Sequence, residues 1–230
     1  MTLLQETHTV HRDSEDVRTQ IDRIVVKSKE NPKEVFTSLY HLLNEAMFIE
    51  CHQELEANKA TGIDKVTKQE YSANLEENIQ DLVKRLKSHT YRPQPVRRVY
   101  IPKGNGEQRP LGIPTYEDKL VQMGLSKILT AIYDPCFIEQ SYGFRVGKSA
   151  HEALRKLNEI IRYKPINYIV DADIKGFFNN VKHEWVVKFI QHRIKDPNII
   201  KLLKKMLMAG TIEAGKYVKT EKGMPQGGLC

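Results

Sequence analysis

The stretch from Asn167 to Asn180, NYIVDADIKGFFNN, constrains the fold more than any other. It sets two carboxylates two residues apart inside an apolar run. Side chains alternate between the faces of a strand, so a strand over 168–174 puts Tyr168, Val170, Ala172 and Ile174 on one side. Ile169, Asp171 and Asp173 then lie on the other. One face suits a core and the other carries acid. An ionised carboxylate withdrawn from water needs a cation, a metal or a proton, and the run itself holds no basic residue. Metal binding is one reading. The other leaves one aspartate capping a turn at Lys175-Gly176 and its neighbour solvated.

Helix signals surround this run. Asn31 followed by Pro32 and Glu34, Thr67 with Glu70, and Ser149 with Glu152 each match a helix start and precede apolar residues at helical spacing. After Thr67 these residues are Leu75, Ile79, Leu82, Val83 and Leu86; after Ser149 they are Ala153, Leu157, Ile160 and Ile161. The pattern predicts further helices over 14–29, 116–132, 181–193 and 197–209, the last opened by Asp196-Pro197 and closed by Gly210. Two hairpins are predicted, PVRRVYIPKGNGEQRPLGIP turning at Gly104-Asn105-Gly106 and TIEAGKYVKT turning at Ala214-Gly215. Few strands among many helices, with no repeat, point to a helix-rich α+β chain.

A chain of 230 residues can bury a sizeable core in one or two domains. No apolar run approaches the roughly 18 residues of a membrane span, and the polar, acidic start MTLLQETHTVHRDSED does not suit a signal peptide, so a cytoplasmic protein is expected. Cys51, Cys136 and Cys230 are odd in number and form no CxxC pair, which argues against a disulfide framework or a zinc knuckle. Charge is divided unevenly: residues 1–90 hold 12 Lys/Arg against 16 Asp/Glu, and residues 91–230 hold 24 against 13. Such an excess suits a phosphate backbone, although proteins that bind no polyanion carry similar balances.

Three stretches can carry chemistry. The first hairpin gathers Arg92, Arg97, Arg98, Lys103 and Arg109 against the single acid Glu107. Cations on a short ribbon can close over a phosphate chain, with Arg109 gripping in bidentate fashion, or they can simply guard a solvated edge. Arg145 and Lys148 in SYGFRVGKSAHEAL precede the helix starting at Ser149, a plausible anion site that lacks the GxxxxGK[ST] spacing. In KGMPQGGLC a Gly-Gly pair lets backbone approach a ligand closely and Gln226 both donates and accepts, yet an ordinary turn has the same composition.

In this order the blocks GIDKVT, YRPQPVRRVYIPKGNGEQRPLGIPT, EQSYGFRVGKSAHEAL, IVDADIKGFFNNVKH and GMPQGG resemble the reverse transcriptases encoded by bacterial group II introns, over about Lys59 to Cys230. The resemblance implies the reverse transcriptase fold of a right-hand polymerase. Residues 1–60 would form a helical extension that binds RNA, 61–165 the fingers, and 166–230 the start of the palm, interleaved with fingers elements. It implies Asp173 as a catalytic aspartate and, with the Ile174 carbonyl, a metal ligand; Asp171 matches a position that need not be acidic. Lys103, Arg109, Phe178 and Gln226 would hold the incoming nucleotide, Phe178 as an aromatic gate beneath the sugar. Arg92, Arg97, Arg98, Arg145 and Lys148 would contact RNA.

The implied reaction is RNA-directed DNA synthesis at a two-metal Mg²⁺ site. The implied partners are deoxynucleoside triphosphates, an RNA template with its DNA primer, and structured intron RNA bound to assist splicing and mobility. No membrane is involved, and a homodimer is compatible with the resemblance. The family's Tyr-x-Asp-Asp turn has no match, since no Asp-Asp pair occurs in these residues. A helix-rich fingers and partial palm fragment, truncated before that turn, is therefore expected to bind RNA with an incomplete metal site and to be inactive alone. Two rival readings share parts of the pattern. One is an RNA-binding, maturase-type module without catalysis; the other is a metal-dependent glycosyltransferase using the Asp-x-Asp of DAD, which gives the basic hairpin, SYGFR and PQGG no role.

Overall fold

Helix α5 (Tyr116–Tyr133) is the spine of the fold, in a computed structural model that describes residues 17–102, 104 and 106–224. Thr115 caps it by accepting from the Asp118 amide, and Glu117 and Asp118 complement the helix dipole in its first turn. Val121, Leu125, Ile128 and Ile132 recur at helical spacing and are fully buried, which makes one continuous apolar stripe. Helix α2 (Glu45–Glu54) packs on α5, and α4 (Leu75–Lys87) packs on α2. Their buried residues Met47, Phe48, Ile79, Leu82 and Leu86 join the same core. Inside it, Asp118 accepts hydrogen bonds from the Tyr91 hydroxyl and the Gln94 amide, and burial holds its carboxyl above the usual range.

The N-terminal segment is tied to the far end of the chain. Residues 17–30 form helix α1, which stops at Asn31. The predicted helix start at Asn31 is not formed. Asn31 Oδ1 accepts from the Lys33 amide (3.1 Å) and its Nδ2 donates to Glu34 Oε2 (3.1 Å), so the side chain closes a turn instead. The chain then runs extended, and Phe36 bridges Ile194 in parallel. Buried Arg193 donates to the carbonyls of Glu34 (3.2 Å), Asn31 (3.3 Å) and Ile132 (2.8 Å). Asp196 caps helix α9 (Pro197–Leu207) through the Asn198 and Ile199 amides and also accepts from Leu39 N (2.7 Å) and Tyr40 N (2.8 Å).

The capping boxes at Thr67 and Ser149 form as expected. The first opens a short helix α3 (Lys68–Ser72), and the apolar series beyond it belongs to α4, which restarts after Asn74. The second opens α6 (Ala150–Tyr163), followed by α7 (Phe177–Asn180) and α8 (His183–Arg193). Both predicted hairpins are present, β1 (Val96–Pro102) with β2 (Gln108–Ile113) and β3 (Thr211–Glu213) with β4 (Lys216–Val218). They merge into one four-stranded sheet of order β2-β1-β3-β4, because β1 and β3 pair in parallel with Val96 opposite Thr211 and Arg97 opposite Ile212. A GIDK loop braces this sheet: Arg97 Nε and Nη2 reach the Thr61 carbonyl at 3.0 and 2.6 Å, and Lys119 Nζ reaches the Ala60 carbonyl at 2.6 Å.

The strand expected over 168–174 is not formed. Residues 165–174 carry no regular structure, with Tyr168 and Val170 89% and 88% exposed. A strand is stabilised by ladder bonds to a neighbour, and among the described residues none lies beside this segment. Helix α6 shares that openness, for its apolar residues Leu154, Leu157 and Ile161 face solvent and none of its residues is buried. No described helix is long and apolar enough to cross a membrane.

Asp196 satisfies four backbone amides on two segments that are far apart in sequence, so its removal leaves buried donors unpaired. Asp196→Ala is expected to lower stability by about 3 kcal/mol in urea denaturation, the sum of a lost helix cap and two stranded amides. Asp196→Asn, which keeps acceptor oxygen, is expected to lose less than half as much.

Candidate active site

The site begins where β4 hands the chain to residues 219–224. The β3–β4 turn places Ala214 and Gly215 at φ +48° and +77°, the geometry that matches strand twist in a two-residue hairpin. Beyond it the chain lies against α7. The Gly223 amide donates to the Val181 carbonyl and the Met224 amide to the Phe178 carbonyl, both at 2.7 Å. His183 Nε2 meets the Gly223 carbonyl at 2.7 Å, so three bonds pin residues 223–224 to the turn that follows DIKG. The contact requires glycine: Gly223 has φ +82°, and a Cβ there would sit 2.9 Å from the carbonyl oxygens of both Phe178 and Asn179.

The structure therefore brings the DIKGFFNN block together with Gly223 and Met224, the described start of GMPQGG, although 40 residues separate the His183 and Gly223 that join them. Phe178, one of the expected nucleotide-binding residues, is 43% exposed and its ring meets the Phe177 ring edge to face at 5.4 Å. Both rings ride on a single helical turn, so the alternation of an extended chain does not separate them and neither is a core residue. Gln226 and Lys103 lie outside the described residues.

Asp171 and Asp173 are exposed, and neither has a hydrogen bond or ion pair among the described residues. The reading in which one caps the Lys175-Gly176 turn is thus not met. The Ile174 carbonyl accepts from the Phe177 amide at 3.3 Å and keeps a second lone pair. No three His, Cys, Asp or Glu side chains gather into a metal cluster among the described residues. The donors in hand nevertheless fit a hard cation: a carboxylate and a carbonyl on adjacent residues are oxygen ligands of the kind Mg²⁺ takes, with the rest of an octahedron left to other groups.

The basic candidates separate into two kinds. Arg97 is committed to the Thr61 carbonyl. Arg145 is committed to its own loop: Nε meets Asp134 Oδ1 at 2.7 Å, and the other nitrogens reach the carbonyls of Asp134, Ile138 and Ser141. It also lies over the Phe137 ring, and its hydrogen bond holds the Asp134 carboxyl below the usual range. Lys148 stays close to that loop, 5.3 Å from the Tyr142 ring centroid. Arg92 and Arg109 are exposed. Arg98 is half-buried, and its Nε is buried with no hydrogen-bond partner among the described residues.

Arg98 and Phe178 share one cleft of about 800 Å³, whose other walls include Lys182, His183, Thr211 and Lys222. Lys182, His183 and Lys222 were not among the sequence candidates. Their signal was their position, since VKH directly follows FFNN and Lys222 directly precedes GMPQGG.

The turn after DIKG, the start of GMPQGG and the cationic hairpin thus meet at one cleft, through Phe178, Gly223, Met224 and Arg98. Residues 101–230 match the family described as reverse transcriptase (RNA-dependent DNA polymerase), and the chain belongs to that family. Within it the chain sits with the group II intron-encoded proteins. It is 40% identical over 211 residues to group II intron-encoded protein LtrA of Lactococcus lactis subsp. cremoris, covering 91% of this chain and 35% of that protein. It is 37% identical over 172 residues to protein YkfC of Escherichia coli (strain K12), covering 73% of this chain and 45% of the other. Over 113 residues it is 30% identical to nuclear intron maturase 2, mitochondrial, of Arabidopsis thaliana, covering 46% of this chain and 15% of that protein. The chain thus spans less than half the length of each of these relatives.

Gly223→Ala is expected to loosen the loop without unfolding the core. An L-residue at that φ costs about 1–2 kcal/mol before the carbonyl clash is added. Hydrogen exchange at the amides of residues 223 and 224 is therefore expected to accelerate at least roughly tenfold, with α5 amides unchanged.

Proposed function

We propose that this chain is the fingers and the first part of the palm of an RNA-directed DNA polymerase encoded by a group II intron. In this reading residues 61–165 are the fingers, 166–230 open the palm, and 1–60 form an extension that binds RNA, the whole acting in the cytoplasm. The observation that supports it is the seating of residues 223–224 on the turn that holds Phe178, which joins two of the motif blocks of the resemblance through backbone hydrogen bonds.

Each residue then has a chemical task. Asp173 and the Ile174 carbonyl would hold a divalent cation, which when bound supplies Lewis-acid activation of the primer hydroxyl and neutralises the leaving pyrophosphate. Lys103 and Arg109, on the hairpin, grip the triphosphate by charge-assisted hydrogen bonds. Phe178 lies beneath the sugar and excludes a 2′-hydroxyl by contact, a specificity that arises from a clash rather than from an added attraction. Gln226 lines the pocket. Arg92 and Arg98, with the cationic excess of residues 91–230, hold an RNA backbone, including structured intron RNA whose binding assists splicing and mobility.

Two experiments test this. In a protein of the relatives' full length, Asp173→Asn is expected to abolish primer extension on an RNA template while leaving RNA affinity within about twofold, because the exchange removes a metal ligand at constant volume. Asp171→Asn is expected to be milder. Equal rates for Asp173→Asn and the unaltered protein would leave only the RNA-binding module, and affinity that stays flat with rising salt in filter binding would remove that reading too. Phe178→Val is expected to let ribonucleotides be incorporated at a rate at least ten times closer to that of deoxyribonucleotides. Primer extension with each nucleotide type measures this, and unchanged sugar selectivity would place the gate elsewhere.

A further inference from the structure

We infer that His183 is a positioning residue: through the peptide group between Gly223 and Met224 it holds the Phe178 ring in place and so sets how strictly deoxyribose is chosen over ribose. This rests on the reading of Phe178 as the sugar gate, and it adds to that gate a residue that works through backbone. The turn that carries Phe178 has little of its own to hold it. Helix α7 is a single turn, and a lone helical turn is unfavourable in water. None of its side chains is buried, and its N-cap, Gly176, lies at φ +64° and supplies no side-chain bond. Asn180 Nδ2 donates to the Gly176 carbonyl at 3.0 Å, which closes the turn on itself without fixing it to the rest of the molecule. The Phe178 carbonyl is held from outside the turn by the Met224 amide.

One peptide group makes the connection. Its carbonyl, from Gly223, accepts from His183 Nε2 at 2.7 Å, and its N–H, from Met224, donates to the Phe178 carbonyl at 2.7 Å. A carbonyl can only accept, so the imidazole carries its hydrogen on Nε2. The peptide group is planar, and a bond at its carbonyl end therefore fixes the direction of its N–H. Hydrogen bonds in such a series polarise one another, so loss of the first weakens the second. Both ends of the series are anchored. His183 is the first residue of α8, which is buried at Val187 and Arg193, and the Met224 side chain packs against the hydrophobic core.

A gate that works by contact is sensitive to displacement. The group it excludes is one hydroxyl, and a shift of the ring on the order of 1 Å is enough to relieve the clash, as misplacements of that size are enough to alter enzymatic rates. Without the His183 bond the peptide group is free to rotate, and the Phe178 turn, which has no buried side chain, moves with it.

In a protein of the relatives' full length, primer extension gives the ratio of kcat/KM for a deoxynucleotide to that for the matching ribonucleotide. His183→Leu removes the donor and is expected to lower this ratio about fivefold, the equivalent of roughly one hydrogen bond. His183→Asn, whose amide falls short of Gly223, is expected to match it. His183→Gln, whose amide nitrogen donates from a place similar to Nε2, is expected to keep the ratio within about twofold. Each ratio is internal to one protein, so a variant that merely folds less well loses both rates alike and keeps its ratio. In a Phe178→Val background, His183→Leu is expected to change the ratio by less than about 1.5-fold, because the ring through which it acts is gone. In the 230-residue chain, His183→Leu and His183→Asn are expected to accelerate hydrogen exchange at the Met224 amide about tenfold, with α5 amides unchanged. An unchanged ratio in both donor-lacking variants, the same loss in the Phe178→Val background, or unaltered exchange at Met224 would overturn the positioning role while leaving the gate in place. No extension by the unaltered protein, or an unchanged ratio in Phe178→Val, would overturn the gate reading and this inference with it.

Discussion

Val96 and Arg97 pair with Thr211 and Ile212 in parallel, and the arrangement of the functional half of the molecule depends on that short ladder. Parallel strands cannot be joined by a tight turn, so the intervening chain has to travel through a crossover. Here it does so through β2 and five helices, α5 to α9, before returning to the same sheet. The Val96 amide donates to the Gly210 carbonyl at 3.1 Å, at the point where the helical crossover ends. Two hairpins that are local structures become one sheet, and only then do Arg98 and Thr211 face the same cleft.

The rest of the scaffold secures this pairing from behind. Arg97, on the ladder itself, is anchored to the Thr61 carbonyl, and Asp196 and Arg193 tie the chain after α8 to residues 31–40. Such groups are expensive to bury and worth keeping only when their partners are complete. Arg193 meets this condition with carbonyls and hydroxyl oxygen, and Asp196 with four amides. Arg145 is similar at a more exposed position. An arginine that looks, on a sequence, like an anion ligand is here the closure of the loop that contains it.

Residues 165–174 and helix α6 are the contrast. Alternating β-branched and aromatic residues favour a strand because they fit a half-buried pleated surface, and that preference has force only when a neighbour supplies the surface. The apolar stripe of α6 is equally well formed and equally uncovered. Helix α6 forms with no covering partner among the described residues because its hydrogen bonds are internal and its capping box satisfies the first turn. A strand has no such internal supply, so the same openness leaves 165–174 irregular.

The sequence by itself determined the features whose stabilising bonds are local. Capping boxes at Thr67 and Ser149, the Asp196-Pro197 start, both hairpin turns and the apolar stripes of α4 and α5 all satisfy their donors within a few residues, so composition and spacing suffice to read them. The order of the motif blocks also placed the chain in its family. Tertiary structure decided everything that depends on a partner distant in sequence. It turned Asn31 from a helix cap into a turn because residues 34–36 bond to Arg193 and Ile194. It withheld the strand at 168–174 and separated Arg97 and Arg145, which bond to carbonyls, from Arg98, whose buried Nε has no partner among the described residues. It also assembled the cleft from Lys182 and Lys222, because Gly223, lacking a Cβ, lets backbone meet backbone across a gap of 40 residues that no local pattern records.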